Sequence, residues 1–252
     1  MIEDESAVAV LRRGIDLGMT HIDTAEMYGN GRTEEIVGRA IAGRRAEVFL
    51  TSKVLPSNAS YEGTLRACER SLQRLGTDYL DLYLLHWAGS HPIEETMRAM
   101  EKLAADGKVR FFGVSNFDWP ELQEAERAAG KGRLASNQVL CHLRDRGIER
   151  RLAPYCKERG IAVVAYSPFG RAQPPRSPVL EEIAKRHGRT VRQVVLRFLT
   201  RDENIFTIPK TSRLERVAEN AGGVGWELAP EEIAAIDRAF PAPDHDVPLG
   251  MI

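Results

Sequence analysis

Cysteine is scarce: Cys68, Cys141 and Cys156 are the only three in 252 residues, and they lie far apart. The odd count and wide spacing offer no disulfide framework, redox pair or zinc knuckle, which implies a reducing compartment. Long apolar runs are missing as well. Nothing approaches the length needed to cross a bilayer, and the opening Met1-Ile2-Glu3-Asp4-Glu5 is acidic where a signal peptide is basic, so a cytoplasmic protein is expected. Net charge is almost nil. With 35 Lys and Arg against 36 Asp and Glu, no field gathers nucleic acid or an anionic membrane. A small neutral or anionic molecule is the expected partner. No strand runs into Gly-x-Gly-x-x-Gly, so a dinucleotide, if one binds, does not sit on a Rossmann unit. No Cys/His/Asp/Glu cluster has metal-ligand spacing, and His21, His91, His142, His187 and His245 read as structural or surface residues. No linker or low-complexity tract divides the chain, so residues 1–252 are expected to form one domain.

What is present is an alternation of two periodicities. An opening helical pattern carries Val8, Leu11 and Ile15 on one side, is interrupted at Gly14 and ends at Gly18. Strand-like runs follow at 20–25, 48–51, 79–85, 111–114, 135–139, 162–166 and 205–208. Helical patterns at 33–42, 61–75, 92–105, 120–129, 148–159, 179–187 with 191–201, and 214–220 come between and after them. Gly76, Gly107, Gly130 and Gly160 fall where a left-handed residue ends a helix, and Ser212 to Glu215 has the spacing of a capping box. Strands alternating with helices of ten or more residues predict parallel strands with crossover helices, and a count near eight predicts an α/β (β/α)8 TIM barrel. The count reaches about seven and opens on a helix, so the first barrel strand is expected to be missing from this chain.

Barrels of this kind carry their chemistry at the C-terminal ends of strands. There stand Asp23 and Tyr28 in H-I-D-T-A-E-M-Y, Lys53 in L-T-S-K-V and His86 in Y-L-L-H-W. Tyrosine hydroxyls ordinarily titrate near pH 10, too high for ready proton donation at neutral pH. A neighbouring ammonium stabilises phenolate, a carboxylate keeps the ammonium aimed, and an imidazole can orient a carbonyl oxygen. Singly, Asp23 reads as a turn residue and Lys53 as a surface lysine. Together the four read as a proton donor for a carbonyl under reduction. A rival is an aldolase in which Lys53 forms a Schiff base.

A second constellation, I-P-K-T-S-R-L-E-R-V-A-E-N at 208–220, follows the last strand and opens a helix. Helix N–H groups and dipole favour a phosphate there, with Lys210, Thr211, Ser212 and Arg216 adding donors. The bland reading is a capped surface helix with solvated charges. Ser115, Asn116 and Gln138 at other strand ends could bind an amide, and Tyr166 could stack on a flat ring.

Taken in order, D-T-A-E-x-Y-G, T-S-K-V, Y-L-D-L-Y-L-L-H-W, G-V-S-N-F, N-Q-V, A-Y-S-P and I-P-K-T-S-x-x-E-R-V-A-E-N resemble the aldo-keto reductase family. The likeness runs from about Glu3 to the C-terminus and is strongest to the bacterial branch that reduces methylglyoxal and diketo-sugar acids. The resemblance implies Tyr28 as general acid, Lys53 as its partner, Asp23 as support for Lys53, and His86 as carbonyl orienter. It gives the nicotinamide carboxamide to Ser115, Asn116 and Gln138, and stacking on the ring to Tyr166, with Ser167 beside it on the cofactor. It gives the 2′-phosphate to Lys210, Thr211, Ser212 and Arg216 and the adenine to Glu219 and Asn220, so NADPH is expected over NADH. Substrate is expected against Met27, Trp87 and an ordered, extended tail at 240–252. The family's opening hairpin and first strand have no counterpart here, and the short Pro-rich segment after Gly170 implies a reduced clamp over the pyrophosphate. A monomer is expected. The rival of another class is a truncated, non-catalytic nucleotide-binding barrel protein.

Overall fold

The structure is a computed structural model that describes residues 2–170 and 173–251. Arg171 and Ala172 of the Pro-rich segment and Ile252 of the tail lie outside the described residues. Two compact units are distinguished, Met1–Asn137 and Gln138–Ile252.

The first unit contains α1 (Ile2–Asp16), β1 (His21–Asp23), α2 (Arg32–Ile41), β2 (Phe49–Val54), α3 (Tyr61–Leu75), β3 (Leu80–Leu85), α4 (Ile93–Ala105), β4 (Val109–Ser115), α5 (Trp119–Ala129) and the start of β5 (Leu134–Leu140). Its strands follow one another in chain order, and β1 with β2, β2 with β3, and β3 with β4 pair in parallel. All six residues of β3 are buried, as expected of a parallel strand covered on both faces. At Gly113 in β4 an added Cβ would stand 2.2 Å from the Ser136 carbonyl oxygen, so only glycine admits β5 this closely.

Register places the chemistry. Asp23 pairs with Thr51, and Lys53 lies two residues further along β2. Because strand side chains alternate, Thr51 and Lys53 share a face, and Asp23 shares it with them. The β1–β2 ladder continues beyond β1: the N–H of Thr24 donates to the Thr51 oxygen at 2.9 Å and that of Glu26 to the Lys53 oxygen at 3.3 Å.

The second unit contains the end of β5, α6 (Leu152–Arg159), β6 (Ala162–Tyr166), α7 (Pro178–Arg186), α8 (Val191–Leu199), β7 (Ile205–Thr207), α9 (Leu214–Ala221) and α10 (Pro230–Ala239). The strand order is β5-β6-β7, with β6 and β7 parallel.

Seven strands stand among the described residues, in the number and order expected, and none precedes α1. Several expectations need correction. Gly14 does not interrupt α1, which runs through it. The helix expected from 148 begins at Leu152, because Gly147–Glu149 forms a separate 3-10 turn in which Arg146 Nε donates to Glu149 Oε1 at 2.9 Å. Among the described residues Ser212 caps no helix. The N-cap of α9 is Arg213, whose N–H donates instead to the Thr211 hydroxyl at 3.1 Å. Capping boxes occur at Asp118 with Glu121 and at Thr190 with Gln193.

Helix α10 was not expected at all. Buried Glu232 anchors it, accepting from the Ala229 N–H at 2.9 Å, from His187 Nε2 at 2.8 Å and from Arg186 at 3.0 Å. Beyond it the extended tail returns to the segment before α6: Asp246 pairs with Arg150 at 2.7 Å and with Arg151 at 2.9 Å.

Candidate active site

In the first unit the four residues of the strand-end foursome come together. Lys53 is fully buried, and its Nζ donates to Asp23 Oδ1 and, at 2.9 Å, to the Thr24 carbonyl oxygen. An ammonium is expensive to bury unless paired, so this pair, set by the β1–β2 register, holds Lys53 in place. An ion-paired ammonium also lacks the lone pair a Schiff base needs, which counts against the aldolase rival. Lys53 Nζ lies 5.1 Å from the centroid of the Tyr28 ring. The His86 ring stands 5.7 Å from the Tyr28 ring, edge-on at 79°. Tyr28 itself is 36% exposed, so its ring stands towards the surface and the buried cation lies beneath it.

Tyr28 reaches this place through an unusual backbone. Gly29, Asn30 and Gly31 take φ values of 58°, 52° and 89°, a left-handed run that opens α2. The two glycines and an asparagine adopt it at little cost, which accounts for Gly-Asn-Gly directly after the tyrosine.

Burial and the nearby Lys53 push the His86 imidazole down to about 4, with Asp23 opposing. The ring is therefore neutral at physiological pH and offers one N–H donor. Its Nδ1 is buried without a hydrogen-bond partner among the described residues. As pH falls from 6.5, where an unfolded histidine titrates, towards 4, the unfolded chain takes up a proton that native His86 refuses. The stability His86 contributes is therefore full above about 6.5 and is lost as pH falls towards about 4. Melting temperature plotted against pH is expected to fall less steeply over this window in H86Q than in the parent; parallel curves would contradict the assignment.

Trp87 stacks obliquely on His86 with centroids 4.8 Å apart, and Met27 is 40% exposed beside Tyr28 in sequence. Asn116, with φ of 60°, donates through Nδ2 to the His86 carbonyl oxygen at 3.1 Å and to Ser115 Oγ at 3.2 Å. That bond ties the end of β4 to the end of β3.

In the second unit, Gln138 is buried in β5, and the Tyr166 carbonyl oxygen accepts from the Cys141 N–H at 3.4 Å. Ser167 has a left-handed φ of 52°. Lys210 and Ser212 are exposed, Thr211 and Arg216 half-buried. Arg216 bonds Glu219, whose carboxylate also lies 3.7 Å from Arg192. Asn220 is buried, yet neither its Oδ1 nor its Nδ2 has a partner among the described residues. A buried amide with two unmet bonds is costly, and a ligand offering donor and acceptor on one edge would relieve it.

Two residues of this arrangement escaped the sequence reading. Arg192, whose guanidinium lies 3.7 Å over the Phe169 ring, bears no motif. Glu26 is buried within the D-T-A-E-M-Y stretch itself, and an acid a few residues past a strand end was the available signal.

A carboxylate, a phenol, an ammonium and an imidazole gathered at strand ends of an α/β fold are what the first unit presents, and the chain belongs to the aldo/keto reductase family, whose profile matches residues 1–240. Its fold class is that family's (β/α)8 type. Among curated relatives, the methylglyoxal reductase YeaE of Escherichia coli K12 is 47% identical over 253 residues, covering 98% of this chain and 89% of its own length. The glyoxal reductase of Bacillus subtilis 168 is 41% identical, covering 95% of this chain and 87% of its own. A crystal structure of a Klebsiella pneumoniae aldo/keto reductase in complex with NADP and acetate superposes with a TM-score of 0.96 at 45% identity, over 100% of this chain and 91% of that one. No helix among the described residues is long and apolar enough to cross a membrane, and no group of three or more side chains there could hold a metal ion.

Proposed function

We propose that the chain is an NADPH-dependent carbonyl reductase acting on small dicarbonyls or keto-sugars. The observation that carries this reading is the buried Lys53–Asp23 pair beneath Tyr28, with a neutral His86 beside the phenol. NADPH, when bound, supplies a hydride to the carbonyl carbon. Tyr28 gives its hydroxyl proton to the carbonyl oxygen as charge builds there, and Lys53 stabilises the phenolate left behind. The neutral His86 donates its one N–H to the same oxygen and fixes the carbonyl against the phenol. The products are an alcohol and NADP. Met27 and Trp87 make the apolar surroundings of the substrate.

NADPH fits the residues that would hold it. The unmet amide of Asn220 suits the adenine edge together with Glu219, and Lys210, Thr211, Ser212 and Arg216 at the start of α9 suit a 2′-phosphate. Ser115, Asn116, Gln138, Tyr166 and Ser167 would take the nicotinamide end. The reading includes a cytoplasmic, monomeric enzyme. R216A is expected to weaken NADPH binding about 10- to 100-fold, the range for one hydrogen bond to a charged group, and to leave NADH binding unchanged. Titration of both cofactors by nicotinamide fluorescence checks this. Equal losses for the two would move the 2′-phosphate away from Arg216.

The same titration, followed by a carbonyl panel that includes methylglyoxal, tests the reading as a whole. Binding without oxidation of NADPH across the panel would favour the non-catalytic nucleotide-binding rival.

A further inference from the structure

Two residues before Tyr28 stands Glu26, a buried carboxylate that the proposed chemistry does not use. Glu26 Oε1 accepts the N–H of Leu55 at 2.7 Å and Asn58 Nδ2 at 2.9 Å, and Arg70 stands 3.5 Å from Oε2. Leu55 is the first residue past β2, the strand that carries Lys53, and Asn58 closes the short 3-10 turn Pro56–Asn58. The main chain of Glu26 belongs to the same junction, since its N–H donates to the Lys53 carbonyl oxygen at 3.3 Å. One residue therefore joins the loop bearing the phenol to the exit of the strand bearing the ammonium, through backbone and side chain together.

The loop needs such an anchor. Three consecutive left-handed residues follow Tyr28, two of them glycines with the widest conformational freedom of any residue. Its far end is set by close packing: a Cβ at Gly31 would stand 2.6 Å from Arg74 Cδ, and Arg74 Nε is itself held by buried Glu34 at 2.6 Å. The near end has the Glu26 carboxylate. Without it, the Leu55 N–H and the Asn58 amide at the β2 exit lose their acceptor, and the phenol loses the side-chain tie that fixes it over Lys53.

We infer that Glu26 is a positioning residue that sets the Tyr28 phenol over Lys53 by clamping the β1–α2 loop to the exit of β2. This rests on the reductase reading for its kinetic consequence, though not for its structural one. A displacement of about 1 Å of a reacting group can cost about 10²-fold in rate, so E26A is expected to lower kcat about 10- to 100-fold. The KM for carbonyl and the Kd for NADPH stay close to those of the parent. Asn58→Ala removes one partner and leaves the Leu55 bond, so a smaller loss in the same direction is expected. E26Q keeps the shape and one acceptor oxygen, and is expected to fall between E26A and the parent.

The test pairs these kinetics with a probe of Tyr28 itself, the 13Cζ resonance of labelled tyrosine, assigned by its absence in Y28F and titrated with pH. In E26A, and more weakly in Asn58→Ala, that resonance and its titration are expected to move while the folded fraction at the assay temperature is unchanged. An unmoved resonance in a folded E26A, or a kcat loss that follows only the folded fraction, would overturn the inference and leave Glu26 a stabilising residue. Should the parent bind NADPH but reduce no carbonyl, the reductase reading fails alone, and the Tyr28 resonance still decides the role of Glu26.

Discussion

Y28F is expected to lower turnover about 10²- to 10⁴-fold, the range a positioned general acid contributes. NADPH binding is expected to stay close to the parent value, because the residues assigned to the cofactor lie elsewhere. Tyr28 is 36% exposed and among the described residues its ring stacks on no cofactor-assigned residue, so the lost hydroxyl leaves the packing intact. Pre-steady-state mixing with carbonyl separates the two effects: the fluorescence change on NADPH binding persists while the absorbance decay slows. Residual turnover near that of the parent would remove Tyr28 from the proton-donor role.

Asp23 and Lys53 are expected to show the largest stability effect. Lys53 is fully buried and paired with Asp23 across the β1–β2 ladder. Breaking one half of a buried pair typically costs about 3–5 kcal/mol, because the remaining charge stays buried without its counterion. D23N should show this in urea unfolding, and its turnover should fall as the ammonium loses its aim. The double variant D23N/K53M removes both charges, so it is expected to regain much of the stability and none of the activity. That divergence of stability from turnover separates a catalytic lysine from a merely structural ion pair. Recovery of turnover in the double variant would contradict the role given to Lys53.

The foursome was legible because a parallel strand advertises itself by a short apolar run, and polar residues at or just past the end of the run lie at its C-terminal end. Thus Lys53 and His86 could be read before any geometry was known. The pairing of Lys53 with Asp23 follows from register, which the two motifs only suggest. Helix α10 escaped because Ala234 and Ala235 thin its apolar stripe, leaving Ile236 as its one buried aliphatic side chain, although Pro230 and two glutamates mark its first turn. The misplaced cap at Ser212 shows a different limit. A capping box needs a backbone turn as well as spacing, and here Thr211 takes the N–H of Arg213 within the turn itself. The role of Glu26 was hidden for a third reason: the acid stands in plain view in the motif, but its partners, Leu55, Asn58 and Arg70, lie 29 to 44 residues away in the chain and become neighbours only in the folded structure.

Hydride transfer is followed with NADPH deuterated at the transferring position. The protein is titrated with this cofactor by fluorescence, methylglyoxal and then a panel of aldehydes and ketones are added, and the alcohol is examined for label. Saturable binding, loss of the reduced-nicotinamide absorbance, and deuterium on the carbinol carbon of the product are expected, all but the binding lost in Y28F. Binding with no oxidation across the panel, or an alcohol carrying no deuterium, would contradict the proposed hydride transfer.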